Sequence, residues 1–215
     1  MENNQRMGNR IRRLCIYFAG IWIVSAGIVM CVKCGLGISP VSSVPYVLSL
    51  TLPLSLGTAT MLFHLVNIIV QYILERKWIN VKVFLQVPVA FLFGWVIDFL
   101  KKLFRFEAPN MAVQIMFLAV SIFLTALGMV FMLNMQLVQN PPDGTVKLLS
   151  SLLEKDMGNI KIIYDVLMTL ISVIYSMLLL GKIRGFGIAT VLSAILVGKV
   201  LSLLQNSIGK RITVR

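Results

Sequence analysis

The ionisable side chains inside the long apolar runs of this sequence include His64, Asp98, Asp165 and Lys199. Ionisable groups are rare in membrane-spanning segments, where they mark ligand sites and proton relays. His64 and Asp165 each follow a glycine, Gly57 and Gly158, by seven residues, or about 10 Å along a helix at 1.5 Å per residue. Asp98 lies next to Lys101 and Lys102, which favours the membrane interface, and Lys199 can extend its stem to the headgroups. His64 and Asp165 are therefore the pair predicted to bind a polar solute or relay a proton.

The composition places these residues in a membrane. The chain has 215 residues, of which 58% are hydrophobic and 13% charged, and its mean hydropathy is +0.90. Soluble domains are roughly 45–50% apolar and about 25% charged, and disordered chains are more polar still. Because backbone groups in lipid must bond within their own segment, the sequence predicts an all-α polytopic membrane protein.

Six apolar runs are long enough to cross the bilayer as helices. They cover about 14–34, 58–74, 80–100, 111–134, 162–181 and 185–204. Two shorter stretches, 40–55 and 142–156, follow the first and fourth runs. We predict six transmembrane helices plus two short broken or re-entrant helices. An eight-span alternative stays open, because the distribution of positive charges does not separate the two topologies, but the length of the short stretches favours six.

The second half of the sequence repeats the first at an offset of 101 residues, which grows by three near the end. The matched positions include Pro40 and Pro141, Gly57 and Gly158, His64 and Asp165, and Gly94 and Gly198. Such self-similarity is typical of duplicated membrane proteins. It predicts a basic tail at 1–13, membrane repeats at 14–107 and 108–208, and a basic tail at 209–215. With three crossings in each repeat, the two repeats are inverted.

Each short stretch opens with proline, followed by a residue suited to cap a helix, Ser42 in the first and Asp143 in the second. Free N–H groups at a helix start favour an anionic or polar ligand, although Asp143 could instead cap its helix or hold a cation. The pattern after Asp143 predicts an amphipathic helix with its leucines on one side. The predicted substrate-binding residues are polar or ionisable: Ser42, Ser43, His64, Asp143, Thr145 and Asp165.

Asp165 is expected to matter most among these residues. A carboxylate away from water costs about 2.5–3.5 kcal/mol on insertion scales, so it needs a partner or a wet cavity. Lys147 and Lys161 are the candidate partners, and with either of them the role of Asp165 would be structural. A wet cavity would instead make Asp165 part of a binding site.

No set of residues in the sequence suggests an enzyme. The sequence has no phosphate-binding G-x-x-x-x-G-K-[ST] loop and no H-E-x-x-H motif. Cys31 and Cys34 form a C-x-x-C pair without a second pair of ligands, so we interpret them as small packing residues. The predictions are therefore no enzymatic activity, no cofactor and no metal site.

The net charge of +12 would suggest nucleic acid in a soluble protein, but here the positive residues flank the apolar runs. This placement is typical of headgroup anchors and cytoplasmic loops. It predicts a lipid bilayer as the partner, no nucleic acid, and cytoplasmic N and C termini. A small-molecule or ionic substrate, a homodimer and a partner subunit are all compatible with the sequence.

The segments around the short stretches resemble the YczE/YyaS/YitT group of bacterial integral membrane proteins. The likeness lies in Gly35-Leu36-Gly37-Ile38-Ser39-Pro40 with Leu48-Ser49, in Asn140-Pro141-Pro142-Asp143-Gly144 with Leu149-Ser150, and in the glycines at 185, 187 and 198. YitT-type members carry a soluble domain after the spans, so the short C-terminal segment favours the YczE-like branch. The resemblance implies a bacterial plasma membrane and supplies no substrate.

Two functions are compatible with these features. The duplicated pattern favours a small transporter-like protein that binds or moves a small solute between two pseudosymmetric halves. The alternative is an interaction or regulatory subunit, either the substrate-binding partner of a separate ATPase or a regulator of a neighbouring enzyme.

Overall fold

A computed structural model describes residues 2–75 and 81–209, and this part of the chain is helical and contains no strand. The helices are α1 (Glu2–Cys34), α2 (Pro40–Thr51), α3 (Leu56–Glu75), α4 (Val81–Phe84), α5 (Gln86–Leu103), α6 (Met111–Met135), α7 (Pro141–Leu153), α8 (Met157–Leu180) and α9 (Ile188–Leu204), and a π-helical turn follows at Gln205–Gly209. Among the described residues, five helices are long and apolar enough to cross a membrane: α1, α3, α6, α8 and α9. The prediction of a helical membrane protein is confirmed at this level.

The apolar run predicted at 80–100 is divided into two helices. The short α4 ends at Phe84, and α5 begins at Gln86. Pro88 lies four residues after Phe84 and has no N–H to donate to its carbonyl, so a continuous helix would lose a hydrogen bond there. The 18 residues of α5 include Asp98, Lys101 and Lys102, and α5 is not one of the five candidate spans.

The longest helices, α1 and α6, pack against each other in opposite directions. Gly20 of α1 lies against Gly128 and Met132 of α6, and Gly27 lies against Thr125. A Cβ atom at Gly128 would lie only 2.7 Å from the carbonyl oxygen of Gly20. Small residues at these positions let the two backbones approach closely. This pair forms the centre of the bundle.

The other helices are arranged around this pair. Helix α5 packs against α1 and α3, and α9 packs against α6. The short helices lie against both α3 and α8: α2 contacts both, and so does α7. The loop before α2 pairs with the loop before α9, since Ile38 N–H donates to the Gly185 carbonyl at 3.1 Å and Ala189 N–H to the Leu36 carbonyl at 3.0 Å.

Helices α3 and α8 run in opposite directions. The start of α3, at Gly57, lies against Gly94 and Asp98 in the second half of α5. The end of α3 lies near the start of α7, because the Gln71 amide donates to the Pro141 carbonyl at 2.9 Å. Lys161, near the start of α8, contacts Asp143 in the same turn of α7. The start of α8 therefore lies at the end of the bundle where α3 finishes.

Both short helices begin earlier than predicted. Their N-caps are Ser39 and Asn140, and Pro40 and Pro141 occupy the first helical position. Proline is favoured there because its fixed φ suits the helix and its missing N–H would have no helical partner. Ser42 and Asp143 were predicted to cap these helices, but both lie inside the first turn instead.

The two basic tails are only partly described. Residues 2–13 continue α1 rather than forming a separate segment. The Arg13 guanidinium donates to the Met135 carbonyl at 2.5 Å, which joins this part of α1 to the end of α6. Of the tail predicted at 209–215, all but the first residue lies outside the described part of the chain.

Candidate functional site

A lysine lies between two carboxylates where α7 meets α8. The Nζ atom of Lys161 is 3.3 Å from Oδ1 of Asp143 and 3.3 Å from Oδ1 of Asp165. The three side chains are 31%, 21% and 14% exposed, respectively. Two predicted site residues are thus joined by a lysine that sequence reasoning had named only as a candidate partner. With both acids ionised, the group carries a net charge of −1.

Two glutamines attach the start of α7 to α3 and α5. The side-chain amides of Gln71 and Gln86 bond each other reciprocally at 3.0 and 2.9 Å, and both residues are buried. Gln71 also donates to the Pro141 carbonyl. Gly144 permits this contact, since a Cβ atom there would lie 2.7 Å from Oε1 of Gln71. Neither glutamine was predicted to belong to the site.

Thr145 and its neighbours connect the same turn of α7 to α3 and α8. The Thr145 hydroxyl, 3% exposed, lies 3.3 Å from the carbonyl oxygen of Asn67 and 3.2 Å from that of Pro141. The Tyr164 hydroxyl donates to Oδ1 of Asn67 at 2.7 Å. Asn67 therefore receives one bond from α7 and one from α8, and the three helices are linked by polar groups away from solvent.

His64 faces the same region from α3. It is 4% exposed, and its ring meets the edge of Phe93 with the centroids 5.4 Å apart. Its Nδ1 atom has no hydrogen-bond partner, and the residue lies one turn before Asn67, which contacts Thr145 and Tyr164. The structure thus brings His64, Asp143, Thr145 and Asp165 into one region between α3, α7 and α8.

Ser42 and Ser43 are not part of this group of charges; they lie in the first turn of α2, and both are buried. The Ser43 hydroxyl is 2.6 Å from the Pro40 carbonyl oxygen and 3.4 Å from that of Met168, which follows Asp165 by three residues. Neither serine contacts Asp143 in the described hydrogen bonds. Val41 and Val44 of α2 lie in the same apolar cluster as Val146 of α7, together with residues of α3 and α8.

Asp98 has a structural role that the sequence did not reveal. Its Oδ1 atom accepts from the Gly57 N–H at 2.8 Å, and its Oδ2 accepts from the Ser55 hydroxyl. The carboxylate thus caps α3 from a neighbouring helix. Helix α8 is capped locally instead, by Asp156, which accepts from the N–H groups of Gly158 and Asn159.

The missed residues follow a signal that the sequence does contain. Polar residues recur on α3 at helical spacing, at Thr60, His64, Asn67 and Gln71, and all four are buried. At the offset of 101 they correspond to Lys161, Asp165, Met168 and Ser172 of α8. A polar stripe within an apolar helix indicates a face turned towards protein rather than lipid. Searching for that stripe, and not only for charges, would have found Asn67, Gln71 and Lys161.

The chemistry available in this region is hydrogen bonding and charge pairing. Within the described part of the chain, no three His, Cys, Asp or Glu residues are placed to hold a metal ion. Cys31 and Cys34 are buried among apolar side chains of α1 and α6. A separate cleft of about 350 Å³ opens between residues 35–38 and 183–188, where Tyr46 and Arg184 contribute polar groups, and it contains none of the predicted site residues.

Comparison with known proteins identifies a family but no function. One family model, described as a family of unknown function (DUF6198), matches residues 11–206. No curated protein and no solved structure matches the chain. Since the family model covers nearly the whole sequence, the chain belongs to the family of unknown function DUF6198.

Proposed function

We propose that the protein is a small transporter-like component of a bacterial plasma membrane, which binds a solute between two pseudosymmetric halves and moves it across the bilayer. The observation that carries this proposal is the polar group formed by Asp143, Lys161, Asp165 and His64 at the start of α7. Charged and hydrogen-bonding groups at the start of a short helix, between spanning helices, are the common form of a transporter site. The proposal includes kinship with YczE-like proteins and cytoplasmic termini.

The packing of the helices supports a duplicated architecture. In a two-repeat chain α1, α2, α3 and α5 correspond to α6, α7, α8 and α9. The contact of α2 with α8 then corresponds to the contact of α7 with α3. In the same way, the contact of α1 with α5 corresponds to the contact of α6 with α9. Hydrogen bonds correspond as well: Ser43 approaches the carbonyl of Met168, Thr145 approaches that of Asn67, and these two carbonyls are 101 residues apart.

Six spans with inverted repeats follow from the proposal, with α5 as the sixth span. Cysteine labelling tests this topology in a variant without Cys15, Cys31 and Cys34. A cysteine at exposed Pro53 and one at exposed Lys155 should react with impermeant reagents from opposite sides of the membrane. Labelling from the same side would contradict the inverted repeats and would favour eight spans with parallel repeats.

The transport proposal is tested by reconstitution. A liposome uptake screen over a broad metabolite panel, with thermal-shift measurements on the purified protein, should identify at least one solute. Asp165→Asn should then abolish uptake while expression and folding are retained. Asp98→Asn, which keeps an acceptor for the Gly57 N–H, should leave uptake intact. Absence of both uptake and ligand-induced shift across the panel would contradict the proposal, as would full activity in Asp165→Asn.

A second function is favoured by the exposure of the last two helices. Only 17% of the apolar segment is buried in α8 and in α9, against 50% in α1 and in α3. These surfaces suit lipid, but they also suit a partner subunit. Copurification of a stoichiometric membrane ATPase or enzyme with the tagged protein would favour a subunit role, provided that variants of exposed α8 residues such as Ile174 weaken the association.

A further inference from the structure

A cleft of about 350 Å³ lies where α1 and α8 end and where α9 begins. All three helices are candidate membrane spans, so the cleft lies near the level at which the hydrocarbon core meets the headgroups. Its volume falls within the range of about 300–1,000 Å³ that is common for small-molecule sites. The position and the size therefore suit the headgroup of a lipid.

The two loops that form the cleft are held in place by the protein itself. The Ser176 hydroxyl, which is 0% exposed, donates to the Lys182 carbonyl at 2.7 Å and accepts from the Arg184 N–H at 2.8 Å. Gly37 has a φ of 110°, and a Cβ atom there would lie 2.7 Å from the backbone nitrogen of Gly187. Backbone hydrogen bonds also join the two loops. The shape of the cleft thus does not depend on a ligand.

The polar groups of the cleft favour an anion. The Arg184 side chain is exposed, and its guanidinium makes no hydrogen bond or ion pair with any described residue. Tyr46 lines the same cleft, and its ring lies beside Gly185, since a Cβ atom there would be 3.1 Å from Cδ1 of the tyrosine. None of the described residues that line the cleft is acidic. A guanidinium binds phosphate oxygens in a two-pronged geometry, so the charge that is missing here is that of an anion.

The rim of the cleft is apolar and faces lipid. Ile183, Phe186 and Ile188 line it and are 51%, 45% and 63% exposed. The helices before and after this loop, α8 and α9, are the least buried of the candidate spans, at 17% each. A soluble anion such as inorganic phosphate has no apolar part to contact this rim. An amphiphile contacts the guanidinium with its headgroup and the rim with its chain.

We infer that this cleft binds the headgroup of an anionic phospholipid, with the phosphate against Arg184 and Tyr46 and the start of an acyl chain against Ile183 and Phe186. Phosphatidylglycerol has the required chemistry, because it has a phosphate, a net negative charge and no cation of its own. Phosphatidylcholine has the same phosphate, but its quaternary ammonium offsets the charge. The site is separate from the charged group of α7 and α8, and it does not require that the protein transports a solute.

Phosphatidylglycerol in mixed micelles is the probe for the test. The delipidated protein is titrated with dioleoyl-phosphatidylglycerol or dioleoyl-phosphatidylcholine at constant total amphiphile and ionic strength, and thermal unfolding is followed. Saturable stabilisation by phosphatidylglycerol alone is expected. Arg184→Gln should weaken this binding roughly tenfold or more, since it removes charge-assisted hydrogen bonds. Its melting temperature without lipid should equal that of the wild type, because the guanidinium bonds no described residue.

Lys182→Gln is the matched control. It removes the same charge from the same loop, but Lys182 does not line the cleft, so phosphatidylglycerol should bind this variant as it binds the wild type. Tyr46→Phe should weaken binding about two- to tenfold, through the loss of one hydrogen bond. If Arg184→Gln does not fold, Tyr46→Phe decides.

Three results would overturn the inference. Equal weakening by Lys182→Gln and Arg184→Gln would mean a general attraction between a basic surface and anionic micelles. Equal stabilisation by phosphatidylcholine would mean that the cleft does not select for charge. Glycerol phosphate, which has the phosphate without acyl chains, should not stabilise the protein, and saturable stabilisation by it that is lost in Arg184→Gln would identify a site for a soluble anion instead of a lipid.

Discussion

At the scale of single residues, Asp98 holds the start of α3 by bonds to Gly57 and Ser55. A carboxylate at a helix N-terminus both satisfies free N–H groups and complements the helix dipole. We expect Asp98→Ala to lower the free energy of unfolding by about 1 kcal/mol, measured by chemical denaturation in detergent micelles. Glu107→Ala, at an exposed loop position, is the control and should change little. Equal stability of both variants would mean that water replaces the cap.

The reciprocal amide pair of Gln71 and Gln86 gives a second residue-level prediction. Gln71→Leu leaves the buried Gln86 amide without its partner and removes one of the side-chain bonds to the Pro141 carbonyl, at a cost of about 1–3 kcal/mol in the free energy of unfolding. The double variant Gln71→Leu/Gln86→Leu should cost less than the sum of the single variants, because it leaves fewer orphaned groups. Additive losses in the denaturation cycle would show that the two amides act independently.

The sequence predicts a site residue when its position follows from the helix that contains it. It does not predict a role that depends on a contact with another helix. The matched depth of His64 and Asp165 follows from their position along the chain, and Asp165 indeed shares the Lys161 ammonium with Asp143. The bond from Asp98 to Gly57 joins residues 41 positions apart. The residues around Asp98 in the sequence do not show whether its carboxylate caps another helix or lies at the membrane interface. Lys161 was recognised only as one of two candidate partners, the other being Lys147.

At the scale of helices, apolar periodicity predicts where the long elements lie but not how the short ones are buried. Five of the six runs correspond to α1, α3, α6, α8 and α9, whereas the run at 80–100 is divided between α4 and α5. Helix α7 differs from its predicted amphipathic pattern: its first residues are buried, whereas Leu152 and Leu153 are 52% and 55% exposed. The first turn of α7 is buried because it lies between α3 and α8. The spacing of apolar residues along α7 does not predict which end of the helix lies between its neighbours.

The α1–α6 contact gives a prediction at the same scale. A Cβ atom at Gly128 would lie 2.7 Å from the Gly20 carbonyl oxygen and 2.7 Å from the Val24 backbone nitrogen. Because backbone atoms cannot yield as a side chain can, Gly128→Ala should push the helices apart and lower stability by about 1–3 kcal/mol. Gly198→Ala is the matched control, since no atom lies within 4 Å of its Cβ position. Thermal unfolding of both variants measures the difference, and similar values would argue against close packing at Gly128.

At the scale of the whole molecule, most helix contacts of one half have a counterpart in the other, but the largest contact within the first half has none. Helices α3 and α5 pack closely through Gly57 and Gly94, where a Cβ atom at Gly94 would lie 2.7 Å from the Gly57 carbonyl oxygen. Their counterparts α8 and α9 have no comparable contact, and Gly198 faces open space. The second half has glycines at the corresponding positions, Gly158 and Gly198, but α8 and α9 do not make a close contact there.

The difference between the close α3–α5 contact and the open arrangement of α8 and α9 predicts a second conformation. Transporters built from inverted repeats alternate by exchanging the arrangements of their two halves, so α8 should at times close on α9 as α3 closes on α5. In a variant without Cys15, Cys31 and Cys34, the pair Ile68→Cys/Ala90→Cys lies within one apolar cluster and should cross-link readily. The corresponding pair, Thr169→Cys/Ala194→Cys, should cross-link more slowly in native membranes, at a rate that rises when a bound solute favours closure. If only the first pair cross-links under oxidising conditions, the halves do not exchange, and the open face of α8 and α9 belongs to a fixed architecture that meets lipid or a partner.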